Sequence, residues 1–182
     1  MHTSAGLQRT APRAVLFDRD GTIVVDVPYN GDPSLVQAMP GALEVLQGLR
    51  SRGIPVGVVT NQSGIARGLV TRDQVDAVNA RVEELLGPFD VWEVCPHGAD
   101  DACACRKPGP GMVFAASARL GLEPSEVAVI GDIGADMGAA AAAGARAVLV
   151  PTAVTLEDEI RSAPAVARDL AGAVDSLWAD TP

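Results

Sequence analysis

Two aspartates one residue apart, Asp18 and Asp20, offer the clearest chemistry in this sequence. They directly follow the apolar run at residues 14–17, and Gly21 and Thr22 come next. Neighbouring carboxylates disfavour joint ionisation unless a cation neutralises them or one keeps its proton. Such a pair suits a nucleophile, a general acid/base and a bound divalent metal. An isolated pair is equally compatible with a turn in which an aspartate bonds the backbone, so the rest of the chain must decide.

Polar residues also follow two later apolar runs. Thr60 comes after residues 54–59, and Asp132 and Asp136 come after residues 127–130. Apolar runs of this length without polar alternation are typical of strands buried on both faces of a parallel sheet. The carboxyl ends of such strands meet at the edge where open α/β sheets bind ligands. The sequence therefore predicts that three strands deliver polar side chains to one edge.

Helical patterns separate the predicted strands. A capping box at Thr71 and Gln74 begins one helix, and Gly144 ends another that we predict for residues 137–143. Strands that alternate with helices predict an α/β fold with a Rossmann-like, doubly wound parallel sheet. We predict one domain over residues 13–182, preceded by a flexible tail at residues 1–12. The pattern of residues 155–182 indicates no role in a site.

A cluster of soft ligands lies in one short loop, residues 95–105. Its members supply three thiols and one imidazole: Cys95, His97, Cys103 and Cys105. This is a donor set for a tetrahedral structural zinc site, and the loop has little else to hold it in place. The simpler alternative is a set of reduced cysteines beside a surface histidine. With Zn²⁺ bound, the loop would be fixed where it presents Arg106 and Lys107.

Composition excludes several classes of protein. The 182 residues have a formal net charge of −9 and no basic stripe, which argues against a nucleic-acid partner. No apolar run approaches the length of a membrane span, and the first dozen residues lack the core of a secretory signal. Three cysteines in one cluster do not form a disulfide framework. We expect a cytoplasmic monomer that does not contact membranes.

Four short motifs, in their usual order, resemble those of the haloacid dehalogenase superfamily. They are Asp18-Arg19-Asp20-Gly21-Thr22, Thr60, Lys107 and Gly131-Asp132 with Asp136. The resemblance covers about residues 14–151, and the second acid of the first motif is a feature of the phosphatase and phosphotransferase branches. It implies that Asp18 is the nucleophile and that Asp20 is the general acid/base. Thr60 would bond a phosphoryl oxygen, and Lys107 would pair with its charge.

The same resemblance implies a catalytic Mg²⁺. Its ligands would be the Asp18 side chain, the Asp20 backbone carbonyl and Asp132. Asp136 would orient metal-bound water or a neighbouring group. Oxygen ligands and a phosphate suit this ion.

The zinc loop and the segment at residues 60–68 narrow the resemblance. Together they are similar to the D-glycero-D-manno-heptose 1,7-bisphosphate 7-phosphatases, and the histidinol-phosphate phosphatases share the loop. Neither family has a large cap domain, and the intervals in this chain are too short for one. The resemblance implies removal of the 7-phosphate from a small sugar bisphosphate. The implied substrate-binding residues are Asp26, Tyr29, Asn61, Gln62, Ser63 and Arg106.

Three departures from this pattern keep other substrates open. Ile133 stands where the similar enzymes often have lysine, the interval between His97 and Cys103 is short, and the middle of the segment at residues 26–29 differs. The alternatives are histidinol phosphate, another small sugar phosphate, a phosphomutase reaction and a non-enzymatic, zinc-stabilised binding module. The intact Asp18 and Lys107 argue against the last of these.

Overall fold

Five parallel strands form one sheet in the computed structural model, which describes residues 11–179. The strands are β1 (Ala14–Phe17), β2 (Val56–Asn61), β3 (Val91–Cys95), β4 (Val127–Gly131) and β5 (Arg146–Leu149). Their order across the sheet is β3-β2-β1-β4-β5. The predicted doubly wound parallel sheet is confirmed. The predicted tail at residues 1–12 lies outside the described residues, apart from its last two positions.

Helices cover both faces of the sheet. They are α1 (Ala42–Ser51), α2 (Arg72–Leu86), α3 (Gly111–Leu120), α4 (Gly134–Ala143), α5 (Glu157–Ser162) and α6 (Leu170–Trp178). Successive residues of β1 point to opposite faces, so Val15 and Phe17 join one core and Ala14 and Leu16 the other. The first core also contains residues from α1, α2 and α6, and the second contains residues from α3 and α4.

The predicted boundaries hold for α2 but not for α4. Thr71 accepts a hydrogen bond from the Gln74 backbone, and the Gln74 side chain bonds the Thr71 N–H, which is the predicted capping box. Helix α4 begins at Gly134 rather than at the predicted Met137. Glycine is a weak helix former, so a contact from outside the helix is needed to explain this earlier start.

The strand order brings the predicted polar residues to one edge. β1 lies at the centre of the sheet with β2 and β4 on either side, and Phe17 is level with Val58 and Ile130. Asp18 therefore emerges between the ends of these neighbours. The segments that follow β1 and β2, residues 18–41 and 62–71, hold no second domain, in agreement with the absence of a cap. No helix among residues 11–179 is long and apolar enough to cross a membrane.

Candidate active site

The Asp18 carboxylate lies at the carboxyl end of the central strand, where it is fixed by three groups. Its backbone N–H donates to the Ile130 carbonyl at 3.0 Å, which extends the pairing of β1 with β4. Its Oδ1 accepts a hydrogen bond from the Arg19 backbone N–H at 2.7 Å and lies 2.9 Å from Lys107 Nζ. Asp18 is buried, with 8% of its surface exposed. One carboxylate is thus held at a defined angle beside a cation.

Lys107 is a buried cation with a fixed position. Its Nζ donates to Asp136 Oδ1 at 2.6 Å and to the Val59 carbonyl at 2.9 Å, besides pairing with Asp18. The side-chain amide of Asn61 holds its backbone: the Lys107 N–H donates to Oδ1 at 3.0 Å, and Nδ2 donates to the Lys107 carbonyl at 3.1 Å. The structure therefore places Asn61, a predicted substrate ligand, as a brace for Lys107.

Three buried carboxylates, of Asp18, Asp132 and Asp136, could hold a metal ion. One oxygen from each lies within 4.8 Å of the others. Both oxygens of Asp136 are already engaged, Oδ1 with Lys107 and Oδ2 with the N–H groups of Asp132 and Ile133. Asp18 and Asp132 are therefore the better direct ligands, and Asp136 orients its neighbours.

The backbone at Gly21 lies very close to the Asp132 carboxylate. Gly21 has a φ of +79°, and a Cβ at this position would lie 2.3 Å from Asp132 Oδ2. Thr22 Oγ1 donates to Asp132 Oδ1 at 3.1 Å. Glycine is required here because any side chain would displace the Asp132 carboxylate. The all-oxygen donor set fits Mg²⁺, which is bound through carboxylates, carbonyls and water.

Burial of the acids shifts their titration. Burial raises the pKa of Asp18 to about 8, against the opposing charge of Lys107 and with support from Asp136 and Asp132. Burial also raises the pKa of Asp132 to about 7, with a further rise from Asp136. Burial alone would lower the pKa of Lys107, yet the adjacent Asp136 and Asp18 raise it above its usual value. The cluster contains three carboxyl groups and one ammonium group, so a bound cation would favour the ionised form of the carboxyl groups.

Asp20 and Thr60 face the same cavity as Asp18 and are linked by Gln62. Gln62 Nε2 donates to Asp20 Oδ2 and to Thr60 Oγ1, both at 2.9 Å. Thr60 is almost fully buried, whereas a quarter of the Asp20 side chain is exposed. Asp20 and Lys107 thus line one cavity together with Asp18 and Thr60.

This cavity has a volume of about 330 Å³ and contains most of the predicted site. Its wall includes Asp26, Tyr29 and Ser63 as well as the acids and Lys107. The Arg67 guanidinium lies over the Tyr29 ring, 5.6 Å from its centre. Arg106 does not line this cavity; its Nη1 donates to the His97 carbonyl at 3.3 Å, and it faces a neighbouring cavity of about 310 Å³.

The C-terminal segment, for which the sequence indicated no role, supports the Asp132 loop. Thr155 Oγ1 donates to the Asp132 carbonyl at 2.7 Å. Glu159 Oε1 accepts from the Gly134 N–H at 2.9 Å, which caps α4 and explains its early start. Val154, between β5 and α5, lines the active-site cavity. These contacts join positions more than twenty residues apart, and no local pattern signals them.

Replacing Thr155 with valine tests this support. The change keeps the shape of the side chain and removes two hydrogen bonds: the one that Oγ1 donates to the Asp132 carbonyl and the one that it accepts from the Thr152 N–H. We expect the free energy of unfolding to fall by about 2 kcal/mol, since each such bond has a usual net value of about 1 kcal/mol. In thermal denaturation this corresponds to a decrease in Tm of about 4 to 8 °C for a chain of this length. Thr155→Ser keeps the hydroxyl and should melt near the wild type; equal loss in both variants would contradict the role of the bonds.

The four predicted zinc ligands lie together in the loop after β3. Cys95 Sγ is 3.8 Å from Cys103 Sγ and 3.2 Å from Cys105 Sγ, and His97 Nδ1 is 3.5 and 3.2 Å from Cys95 and Cys105. A tetrahedral zinc with bonds of about 2.3 Å sets sulfur ligands about 3.8 Å apart. The distance from Cys95 to Cys103 equals this value, and the distance from Cys95 to Cys105 is shorter, so the donor set suits the ion and Cys105 would move outward to bind it. Burial raises the pKa of Cys95 to about 12 in the absence of a cation.

Comparisons with known proteins agree with this geometry. The model of the haloacid dehalogenase-like hydrolases matches residues 29–144. A Bordetella bronchiseptica protein named D-glycero-beta-D-manno-heptose-1,7-bisphosphate 7-phosphatase is 37% identical over 145 residues, which cover 77% of this chain and 81% of that one. A Pseudomonas putida protein of the same name is 34% identical over 177 residues, covering 91% and 99% of the two chains.

A solved structure is also similar over nearly its whole length. It is the D,D-heptose 1,7-bisphosphate phosphatase from B. bronchiseptica, complexed with magnesium and phosphate. The TM-score is 0.82 and the sequence identity 31%, and the match covers 93% of this chain and 99% of the other. The family match spans more than half of the 182 residues, and the relatives align over most of their length. The chain therefore belongs to the haloacid dehalogenase-like hydrolases.

Proposed function

We propose that this chain is a magnesium-dependent phosphatase that removes the 7-phosphate of D-glycero-D-manno-heptose 1,7-bisphosphate. The observation on which the proposal depends is the convergence of Asp18, Asp20, Lys107 and Asp132 on one cavity at the carboxyl edge of the sheet. Relatives that bear the name of this activity support the choice of substrate.

Mg²⁺ would be held by the side chains of Asp18 and Asp132 and by the Asp20 backbone carbonyl. The B. bronchiseptica neighbour, which was solved with magnesium and phosphate, supports magnesium as the ion. The ion would supply positive charge that offsets the repulsion between the attacking carboxylate and the phosphate. Lys107 supplies a second positive charge from the protein itself, 2.9 Å from Asp18 Oδ1.

In the first step, an Asp18 carboxylate oxygen attacks phosphorus and the bond from phosphorus to the sugar oxygen breaks. Asp20, in its protonated form, gives its proton to this leaving oxygen, and the phosphoryl group remains on Asp18 as an acyl phosphate. The Thr60 hydroxyl and the Lys107 ammonium stabilise charge on the phosphoryl oxygens during the transfer. The sugar then departs as an alcohol.

In the second step, water attacks phosphorus of the aspartyl-phosphate and releases inorganic phosphate. Asp20, now a carboxylate, takes the proton from that water, so that the same residue serves as acid and then as base. The hydrogen bonds from Gln62 and from Arg19 hold this carboxylate in place. The Asp18 carboxylate is regenerated, and Asp20 is again protonated for the next cycle.

The loop residues around the cavity would recognise the sugar. Asp26, Tyr29 and Ser63 line the wall beyond the phosphate position and offer hydrogen bonds to hydroxyl groups. Arg106, in the adjacent cavity, is a cation that would bind the distant phosphate after leaving the His97 carbonyl. Asn61 and Gln62 line the cavity as well and would also contact the substrate, besides their hydrogen bonds to catalytic residues.

Zn²⁺ would be a structural ion in the loop at residues 95–105. The four ligands leave no open position for substrate, which is typical of a structural site. Lys107 follows Cys105 by two positions. The ion would therefore fix the segment that places the Lys107 ammonium beside Asp18.

A substrate panel tests the proposal. Phosphate release is measured with Mg²⁺ on both anomers of the heptose 1,7-bisphosphate, fructose 1,6-bisphosphate, histidinol phosphate and a nucleotide monophosphate. We expect selective turnover of a heptose anomer, and phosphorus NMR should show heptose 1-phosphate as the product. Preference for histidinol phosphate would contradict the proposed substrate and leave the proposed mechanism unchanged. No turnover of any compound by a magnesium- and zinc-loaded protein would contradict the proposal.

A further inference from the structure

Arg19, between the two catalytic aspartates, has a guanidinium group that is almost completely buried. Only 1% of its side chain is exposed. A buried charge of this kind needs partners, and here they are Asp20 and Asn79. Arg19 lines part of the active-site cavity, but each of its guanidinium nitrogens, Nε, Nη1 and Nη2, is engaged by Asp20 or Asn79. Its effect on the reaction therefore passes through the residues that it bonds.

The first partner is the carboxylate of Asp20. Arg19 Nε lies 3.1 and 3.2 Å from the two carboxylate oxygens, and Nη2 lies 2.9 Å from Oδ2. Gln62 Nε2 donates to Oδ2 as well, at 2.9 Å. The planar fork of an arginine fixes both the position and the rotation of a carboxylate. Arg19 thus determines the direction in which the Asp20 oxygens face the cavity.

The second partner, Asn79, anchors the other side of the guanidinium. Arg19 Nη1 donates to Asn79 Oδ1 at 2.7 Å. Asn79 belongs to α2 and lines a groove of about 520 Å³ beside β3, not the active-site cavity. A residue that substrate does not touch therefore limits the rotation of Arg19, and through it that of Asp20.

We propose that Arg19, anchored by Asn79, is a positioning residue that aims the Asp20 carboxyl at the leaving oxygen. The inference rests on the proposed function, in which Asp20 is the proton donor. Without the anchor, the guanidinium rotates and the carboxyl follows it, so that proton transfer to a poor leaving group becomes slow. A leaving group that departs as a stable anion needs no proton and should be insensitive to this loss.

The test is the Asn79→Ala variant, assayed on two substrates that differ in this requirement. The sugar alkoxide of the heptose bisphosphate needs the proton of Asp20, whereas the nitrophenolate of p-nitrophenyl phosphate does not. For both substrates kcat/KM reports the steps up to loss of the leaving group. We expect kcat/KM to fall about tenfold for the heptose bisphosphate and to change little for p-nitrophenyl phosphate. A tenfold fall is smaller than the full contribution of a general acid, because a misaimed Asp20 keeps part of its function.

Two further variants separate positioning from a general effect on the fold. Asp76→Ala removes an exposed side chain of α2 from the same groove, and both kcat/KM values should stay near those of the wild type. Asn79→Asp keeps an oxygen acceptor for Arg19 Nη1 and should restore the ratio of the two values. Asp76→Ala and Asn79→Asp should melt near the wild type, whereas Asn79→Ala leaves a buried N–H group of Arg19 without its acceptor and should melt a few degrees lower while staying folded in the assay.

Equal losses on both substrates, or no loss on either, would overturn the positioning role while the wild-type activity upholds the proposed function. A wild type that hydrolyses neither compound would overturn the proposed function and this inference with it. Arg19→Lys provides a second check, because lysine keeps the charge without the fork. The same selective loss is expected for it, and an unchanged ratio in a folded Arg19→Lys variant would contradict the inference.

Discussion

Replacing Asp18 with asparagine should abolish phosphate release while leaving the protein folded. The amide has the shape of the carboxylate, and its oxygen can still accept the hydrogen bond from the Arg19 backbone. It cannot form an acyl phosphate, so the covalent route is closed. We expect a loss in kcat on the order of 10⁴-fold or more, as for other enzymes that lose their nucleophile.

The stability of this variant should equal or exceed that of the wild type measured without metal. Asp18, Asp132 and Asp136 place three carboxylates around one buried ammonium, that of Lys107. Burial and the neighbouring acids disfavour the charged form of Asp18, which is why its pKa is raised to about 8. Asparagine removes that unfavourable charge, so Tm should not fall.

The measurement combines phosphate release with acid-quenched protein. The wild type should accumulate label from a phosphorus-32 substrate on a peptide that contains Asp18, and Asp18→Asn should not. Asp175→Asn makes the same chemical change at an exposed position on α6, and it should keep full activity. Turnover by Asp18→Asn within about a hundredfold of the wild type would exclude Asp18 as the nucleophile.

The sequence predicted the architecture because hydrophobic pattern and chain order agree with the fold. Each apolar run became a parallel strand, and three strand ends placed Asp18, Thr60 and Asp132 at one edge. Such information is local: strand length, the lack of polar alternation, and turn residues at the ends. The ligand cluster was predicted from spacing alone, since four soft donors within eleven residues must lie close together.

Contacts between distant segments were not predictable in this way. Glu159 caps α4 from a separate helix, and Thr155 bonds the Asp132 carbonyl, so the start of α4 depends on residues far along the chain. Asn61, which was predicted to contact substrate, lines the cavity and also braces the Lys107 backbone, a contact that the sequence did not indicate. Arg19 was missed because an arginine between two acids resembles simple charge balance. Its burial and its bond to Asn79 arise only when α2 packs on the sheet.

Replacing Cys103 with serine should release zinc and lower both stability and activity. A hydroxyl oxygen is a poor ligand for zinc beside thiolates and an imidazole, so the site becomes three-coordinate. The free energy of zinc binding contributes to folding because the unfolded chain has no formed site. We expect a decrease in Tm of about 5 to 10 °C, which corresponds to a few kcal/mol for a chain of this size.

The activity should fall because the loop at residues 95–105 sets the position of Lys107. On the sheet side Lys107 is held by the Asn61 amide, the Val59 carbonyl and the carboxylates of Asp18 and Asp136. On the other side only Arg106 separates it from the ligand Cys105. Loss of the ion frees that side and allows the ammonium to move from its position 2.9 Å from Asp18. We therefore expect kcat to fall more than the affinity for substrate.

Zinc content, Tm and kcat are measured on protein prepared under reducing conditions, with Ala104→Ser as the matched control. That change adds a hydroxyl at an exposed position of the same loop and removes no ligand. The control should hold one zinc per chain and melt with the wild type. A Cys103→Ser protein that keeps its zinc and its Tm would show that this cysteine is not a ligand. Loss of zinc with full activity would instead show that zinc does not position Lys107. If the loop set the position of the Lys107 ammonium, its release from zinc would lower turnover.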